Sequence, residues 1–361
     1  MKVLFISRAT LYTDKGGDTI QVINTAHYLQ NLGIDVTIRL CNETIDYSGF
    51  DLLHFFNIIR PADILIHIQR SGKPFVISTI YVDYAEYEKT VRGGVAGFVF
   101  RTFSPDLIEY AKVLARALIN GEKIISPSYV LLGHSRSIKK IIRNAAMLLP
   151  NSENEYLRLL AHYHTKGNYR VIPNAINPSL FSIGKTELQR DNQLILCVGR
   201  IEGRKNQLNL IRAVNNTAYR LILIGSPSPN QRQYYAACEA EAGPNVSFID
   251  VLPQEELVRY YQLAKVHVLA SWFETTGLSS LEAAAMGCNI VVTEKGDTRE
   301  YFENYAYYCD PSSPTSIQAA IDNAARAAFD PRLQEKINSH LTWEQTALKT
   351  LAAYQEIIRP V

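Results

Sequence analysis

The sequence predicts an α/β fold of two domains, each built on a doubly wound parallel sheet, facing a central cleft. Strand-like and helix-like runs alternate along almost the whole chain, which is the pattern of βαβ units. Several strand-like runs, such as Val3-Leu4-Phe5-Ile6, are apolar at every position, as strands covered on both faces must be. The chain has 361 residues, 47% hydrophobic and 20% charged, which suits a water-soluble protein of two ordinary domains.

The elements follow in order. After the first strand and a loop, Asp18 is expected to cap a helix in which Val22, Ala26 and Leu29 recur at helical spacing, and Gly33 ends it. Ile34, Val36 and Ile38 alternate as a strand. Leu52-Leu53-His54-Phe55-Phe56, Phe75-Val76-Ile77-Ser78, Ala146-Met147-Leu148-Leu149-Pro150 and Arg170-Val171-Ile172-Pro173 are further strands. These complete a first domain over residues 1–183. Residues 184–192 are polar and lack apolar periodicity, so they are expected to be a linker.

A second domain, 193–342, repeats the alternation. Its strands are Leu194 to Val198, Arg220 to Ile224, Val246 to Ile249, Val266 to Leu269 and Asn289 to Thr293, with helices including Glu255 to Lys265 and Leu278 to Met286. The last stretch, 343–361, holds a helix from Trp343 to Ile358 that is expected to cross back to the first domain.

The net charge of +2 gives no reason to expect a nucleic-acid partner. Residues 1–183 hold 20 lysines and arginines against 15 acids, whereas 184–361 hold 17 against 20. The basic excess is concentrated between Lys112 and Arg143, where Lys112, Arg116, Lys123, Arg136, Lys139, Lys140 and Arg143 oppose only Glu122. Ile138, Ile141 and Ile142 interleave with the last of these. Such a helix either presents a solvated face while packing on a core or rests on an anionic membrane surface. Cys41, Cys197, Cys238, Cys288 and Cys309 are scattered, as buried thiols of a reducing compartment would be. The start of the chain reads as a strand and no run is long enough to span a bilayer, so a cytoplasmic protein, at most peripheral to the membrane, is expected.

The segment most informative about chemistry runs from Ser271 to Gly287. A strand ends, a turn carries Glu274 and Thr276, and a helix starts near Gly277 and Leu278 with Glu282 inside it. The first N–H groups of a helix have no intrahelical acceptor, and they combine with the helix dipole to attract phosphate. A phosphate flanked by two carboxylates that bind hydroxyls suits a nucleotide sugar. Arg200 and Lys205 follow the first strand of the same domain and can supply a guanidinium fork and a point charge to a pyrophosphate. The other reading of these two is a solvated loop.

Gly16-Gly17, after the first strand, allows a close approach of backbone to ligand, although two glycines also fit an ordinary loop and do not form G-x-G-x-x-G. His54 is a candidate substrate ligand or a core histidine. His162 and His164 lack convergent Cys or carboxylate partners for a metal, and the chain has no D-x-D, so no metal is expected.

Together these residues resemble the GT-B glycosyltransferases, most closely the retaining glycosyltransferase family 4. The resemblance covers nearly the whole chain and is strongest from Val171 to Glu300. Gly16-Gly17 looks like the family's N-terminal glycine loop, and Ile172-Pro173-Asn174-Ala175-Ile176-Asn177 like its I-P-N-G-V-D stretch, with Ala175 and Asn177 departing from it. Arg200 with Lys205 looks like its phosphate pair, and Glu274, Gly277, Leu278 and Glu282 like its E-x7-E motif.

The resemblance implies two Rossmann-like domains, the first binding acceptor and the second binding a nucleoside-diphosphate sugar. It implies that Glu274 binds the donor sugar's hydroxyls and Glu282 the ribose. Arg200, Lys205 and the backbone at Gly277 and Leu278 would hold the diphosphate, while Gly225 and the Asp250-Val251-Leu252 turn would frame the base. It implies transfer with retention and no cofactor or metal. Catalysis would be electrostatic rather than through a protein nucleophile. Members of this size often build cell-surface glycans on lipid-linked intermediates, and the Lys112–Arg143 region would suit docking near such an acceptor.

The chain departs from the family where a histidine commonly follows the strand ending at Ser78. Tyr81 stands there with Asp83 close by, and Phe56 replaces a second histidine. Two other readings therefore stay open. One is a GT-B sugar-nucleotide epimerase or hydrolase with Asp83 and His54 as its acid/base pair. The other is a non-catalytic nucleotide-sugar binder.

Overall fold

The computed structural model describes residues 1–82, 106–111, 113, 126–183, 190–228 and 231–358. The chain divides into two compact units, Met1–Asn174 with Trp343–Val361, and Ala175–Thr342. Asp83, Lys112, Arg116, Glu122 and Lys123 lie outside the described residues.

The first unit is built on a parallel sheet of order β2-β1-β3-β4-β5. Its strands are β1 (Lys2–Ser7), β2 (Asp35–Leu40), β3 (Leu52–Phe56), β4 (Phe75–Ser78) and β5 (Met147–Leu149). Because side chains alternate along a strand, the apolar runs feed two cores. Leu4, Ile6, Leu53, Phe55, Phe75, Ile77 and Leu148 face one side. Val3, Phe5, Leu52, Phe56, Val76, Met147 and Leu149 face the other.

Helices α2 (Pro61–Ser71), α3 (Pro127–Asn144) and α4 (Glu153–Tyr163) contribute to the first core through residues such as Ile64, Ile138 and Leu159. The second core takes Val22, Ala26 and Leu29 of α1 (Gly17–Asn31), and Ala347, Ala353 and Tyr354 of the final helix, Trp343–Ile358.

The second unit carries β6 (Asp191–Val198), β7 (Arg220–Ile224), β8 (Val246–Ile249), β9 (Ala264–Leu269), β10 (Asn289–Thr293) and β11 (Tyr307–Cys309). They form a parallel sheet of order β11-β10-β9-β6-β7-β8. From β6 the chain builds outward through β7 and β8, then returns to lay β9 on the opposite side of β6. That reversal leaves a crevice at the carboxyl ends of β6 and β9, the usual place for a ligand in such sheets. The helices are α5 (Gln207–Val214), α6 (Arg232–Glu241), α7 (Gln254–Leu263), α8 (Leu278–Ala285), α9 (Thr298–Phe302), α10 (Pro314–Arg326) and α11 (Pro331–His340), followed by α12, the Trp343–Ile358 helix of the first unit.

Several expectations need correction. Residues Ala175 to Ile183 belong with the second unit, because Ile176 and Phe181 are buried in its core. Asp191 and Asn192 are in β6 rather than in a linker, and Asp191 pairs with Ala264. Gly16, not Asp18, caps α1; Asp18 is inside the first turn, where both carboxylate oxygens accept from Arg8, at 2.6 and 3.0 Å. The Arg170–Pro173 run makes no strand. Leu148 donates to Asn168, and Arg170 and Ile172 donate to Leu148 and Pro150, but Pro150 has no N–H to return the next bond of the ladder. Lys265 is in β9, since the chain turns extended at Ala264 and ends α7 at Leu263.

All five cysteines are buried and unbridged. Among the described residues no helix is long and apolar enough to cross a membrane.

Candidate active site

Residues 199–205, 225–228, 250–252 and 270–277 leave the carboxyl ends of β6, β7, β8 and β9 in turn. Hydrogen bonds tie these loops together. The N–H of Gly199 donates to Ile224, that of Gly225 to Ile249 and that of Ile201 to Ser226. Asn206 reaches from the first loop to the carbonyls of Ala270 and Pro311, at 2.9 and 2.7 Å, and the N–H of Trp272 returns a bond to Arg204. Ser279, in the first turn of α8, donates to the Val198 carbonyl at 2.8 Å, which fixes that helix start against the end of β6.

Glu274 lies at the centre of this frame and is 8% exposed. Its Oε2 accepts from Lys205 Nζ at 2.7 Å and from Ser271 Oγ at 3.0 Å. Among the described residues its Oε1 takes no hydrogen bond. The backbone of Glu274 is clasped by the loop after β10: its N–H donates to Lys295, and its carbonyl accepts from Asp297. Gly296 makes that clasp possible. It has φ of 101°, and a Cβ there would lie 2.1 Å from the Glu274 carbonyl oxygen.

Gly277 caps α8 in the left-handed region, φ 71°, so the turn can fold tightly before the helix starts. Thr276 is buried. Lys205, Glu274 and the start of α8 therefore share one place: a cation, a carboxylate and a positive helix end.

The second cation is braced differently. Glu202 is buried, and both its oxygens accept from Arg204, at 2.9 and 3.1 Å. Ser228 adds a bond at 3.0 Å, and Arg200 Nη2 stands 3.9 Å from Oε1. Burial pushes the Glu202 carboxyl up, but Arg204 and then Arg200 outweigh it and hold the group below its ordinary range.

Glu282, on α8, is 7% exposed. Its Oε1 accepts from Gln254 at 2.9 Å and its Oε2 from Tyr261 at 2.9 Å. Burial raises its carboxyl to about 7, with those two bonds pulling the other way. At the ends of β7 and β8, Ser226 bonds Asp250, Val251 is 69% exposed and Leu252 is half-buried, next to Gly225.

The candidates in the first unit look inward. His54 is 1% exposed; Nδ1 meets the Tyr354 hydroxyl at 2.6 Å and Nε2 the Ser78 hydroxyl at 2.9 Å. Burial lowers it to about 3, so it stays neutral. It is a core histidine with both nitrogens engaged, not a substrate ligand. That also removes the histidine from the Asp83 and His54 acid/base pair; Asp83 itself lies outside the described residues.

Tyr81 is 5% exposed, and its hydroxyl lies 2.9 Å from His162 Nδ1. Its backbone N–H donates to Glu155, a fully buried carboxylate that also accepts from Thr79 and from the Asn151 N–H. Gly16 and Gly17 stand at the N-terminus of α1, with the Gly16 N–H donating to Thr19. Among the described residues no group of three or more His, Cys, Asp or Glu side chains is placed to hold a metal ion.

On α3, Ile138, Ile141 and Ile142 are fully buried, so the apolar face belongs to the core. Arg136, Lys139, Lys140 and Arg143 line a shallow depression with Leu132 and Asn144. Leu131, one turn earlier and just before the kink at Gly133, is 84% exposed.

The sequence did not reveal Ser271, Gly296, Glu202, Gln254 or Tyr261 as parts of this site. A glycine following Lys295 and a tyrosine inside a helix carry no motif, and only the fold brings them to the two glutamates.

The family model for glycosyl transferases group 1 matches residues 181–338. The chain is 30% identical over 322 residues to the D-inositol 3-phosphate glycosyltransferase of Corynebacterium diphtheriae, covering 78% of this chain and 75% of that one. A second D-inositol 3-phosphate glycosyltransferase, from Acidothermus cellulolyticus, is 26% identical over 208 residues, 52% of this chain and 45% of that one.

Among solved structures, sucrose-phosphate synthase from Thermosynechococcus elongatus superposes with a TM-score of 0.74 at 17% identity, over 99% of both chains. Anabaena HepE, in complex with UDP and glucose, gives 0.69 at 14% identity, over 99% of this chain and 100% of that one. These likenesses establish the fold as GT-B.

Proposed function

For a chain that belongs to the glycosyl transferases group 1 family, and is therefore a glycosyltransferase, we propose retaining, metal-independent transfer of a sugar from a nucleoside-diphosphate sugar to a glycan or lipid-linked acceptor. The observation that carries this reading is the Glu274–Lys205 pair beside the N-terminus of α8.

In the proposed mechanism Arg200, Lys205 and the first N–H groups of α8 hold the diphosphate, with Gly277 shaping the turn. Glu274 takes hydroxyls of the transferred sugar, and its open Oε1 suits that task. Glu282 takes the ribose, and Gly225, Val251 and Leu252 frame the base. The acceptor oxygen forms a bond to the anomeric carbon on the face from which the diphosphate leaves. The carbon–phosphate oxygen bond breaks, and the acceptor's proton passes to the departing phosphate. Arg200 and Lys205 stabilise the growing negative charge. No protein nucleophile is required.

The test is a transfer assay in chelator. UDP-, GDP- and ADP-sugars are offered with glycan and lipid-linked acceptors, and with an inositol phosphate, the acceptor class in the names of the two curated relatives. Product with the donor's anomeric configuration supports the reading. Inversion, or a strict need for added metal, contradicts it. Donor consumption without acceptor would favour the hydrolase or epimerase reading.

For a role in cell-surface polysaccharide synthesis, the basic face of α3 supports a peripheral contact with the anionic inner face of the membrane. Its isoleucines are spent on the core, so the attraction is electrostatic with Leu131 at the contact. Flotation with vesicles containing phosphatidylglycerol should retain the wild type and lose a variant with Lys139, Lys140 and Arg143 neutralised. Equal flotation of both would remove the membrane from the account.

A further inference from the structure

Helix α7 presents two hydrogen-bond donors to one carboxylate on a neighbouring helix. Gln254 is in its first turn and Tyr261 two turns later, on the same face. Each bonds a different oxygen of Glu282, at 2.9 Å. We propose that Gln254 and Tyr261 are the positioning residues for ribose recognition, holding the Glu282 carboxylate in one orientation so that its remaining lone pairs meet the ribose diol. This rests on the reading of Glu282 as the ribose ligand.

The geometry suits the task. The terminal torsion of a glutamate is broad, and a carboxylate offers about four acceptor sites. One donor on each oxygen stops the rotation and leaves a site on each for a hydroxyl. Two fixed acceptors match two adjacent hydroxyls, and the ordering cost is met before the ligand arrives.

Tyr261 is itself immobilised. It is fully buried, with its ring 5.9 Å from both Phe181 and His267, so its hydroxyl has one direction in which to donate. Gln254 follows Leu252 and Pro253, the turn proposed to frame the base, so one helix start would serve base and ribose together.

The test is calorimetric binding of UDP, GDP and ADP beside their 2′-deoxy and 3′-deoxy forms. The proteins are wild type, Tyr261→Phe, Gln254→Ala, Glu282→Gln and the Tyr261→Phe/Glu282→Gln double variant. The wild type should prefer the ribonucleotide by about tenfold or more, the scale of one lost hydrogen bond to a charged group.

Tyr261→Phe and Gln254→Ala should each shrink that ratio several-fold by weakening the ribonucleotide alone. Tyr261→Phe should add nothing once Glu282 is glutamine. A full ratio in both single variants, or equal weakening of ribo- and deoxy-ligands, overturns the positioning role while leaving Glu282 as the ribose ligand. A wild type that does not discriminate, or binds none of these nucleotides, overturns the ribose assignment itself and the positioning role with it.

Discussion

Glu274 and His54 are both buried polar side chains near strand ends, yet the fold treats them in opposite ways. Among the described residues Glu274 takes both its side-chain hydrogen bonds on Oε2, and Oε1 takes none. His54 spends Nδ1 on Tyr354 and Nε2 on Ser78 and keeps nothing. A buried polar group with all partners satisfied belongs to the scaffold, whereas one with an oxygen to spare can meet a ligand, the role proposed for Glu274. The units also differ in where such groups lie. In the second, Glu202, Lys205, Glu274 and Glu282 gather on loops and helix starts at the carboxyl ends of the strands. In the first, His54, Tyr81 and Glu155 fasten the chain to itself.

The largest effect that can break this contrast is on turnover. Glu274→Gln and Lys205→Ala should each lower kcat/KM by roughly 10²–10³-fold, the range for losing one preorganised transition-state contact. Thermal unfolding of each should stay close to wild type. Near-normal turnover in both variants would show that the Glu274–Lys205 pair is structural, like the contacts of His54.

A second variant sharpens the same point through the backbone. Gly296→Ala puts a methyl against the Glu274 carbonyl and should cost about 1–3 kcal/mol of stability. It should also reduce kcat, because the clasp that aims Glu274 must open. A stable and fully active Gly296→Ala enzyme would mean that the clasp does not position the carboxylate.

The smallest effect on activity belongs to His54. His54→Leu leaves the hydroxyls of Tyr354 and Ser78 without a partner and should destabilise by about 1–3 kcal/mol, with kcat/KM unchanged in the folded enzyme. It also changes the acid limb of stability. The folded histidine is lowered to about 3 from an ordinary value of 6.5, so below pH 6.5 the unfolded chain takes the proton first. Stability from this site is present above pH 6.5 and is lost as the pH falls toward 3. Denaturant titrations across that window should give a shallower slope for His54→Leu than for wild type. An unchanged slope, or a collapse of kcat, would place His54 nearer the chemistry.

The sequence carried the strand and helix order well, because apolar periodicity is a local signal. It carried the two glutamates as well, since the spacing across a helix start is itself chemical information. It placed the end of the first domain too late because Ala175 to Ile183 have no local mark of which core they join. Ile176 and Phe181 reveal that only by their burial. It left His54 open between a substrate ligand and a core histidine because the Tyr354 hydroxyl that claims Nδ1 lies 300 residues away. The Gly296 clasp and the donors on α7 escaped for the same reason: each is a long-range contact made by a residue type that is common everywhere.

The most direct test of the donor site is a crystal structure of the enzyme with an intact nucleoside-diphosphate sugar. The donor would be whichever of UDP-, GDP- and ADP-glucose raises the unfolding midpoint most. The diphosphate should lie at the N-terminus of α8, within hydrogen-bond distance of Arg200 and Lys205, with sugar hydroxyls on Glu274 and the ribose on Glu282. A diphosphate bound away from α8, or a donor sugar that leaves Glu274 untouched, would contradict it.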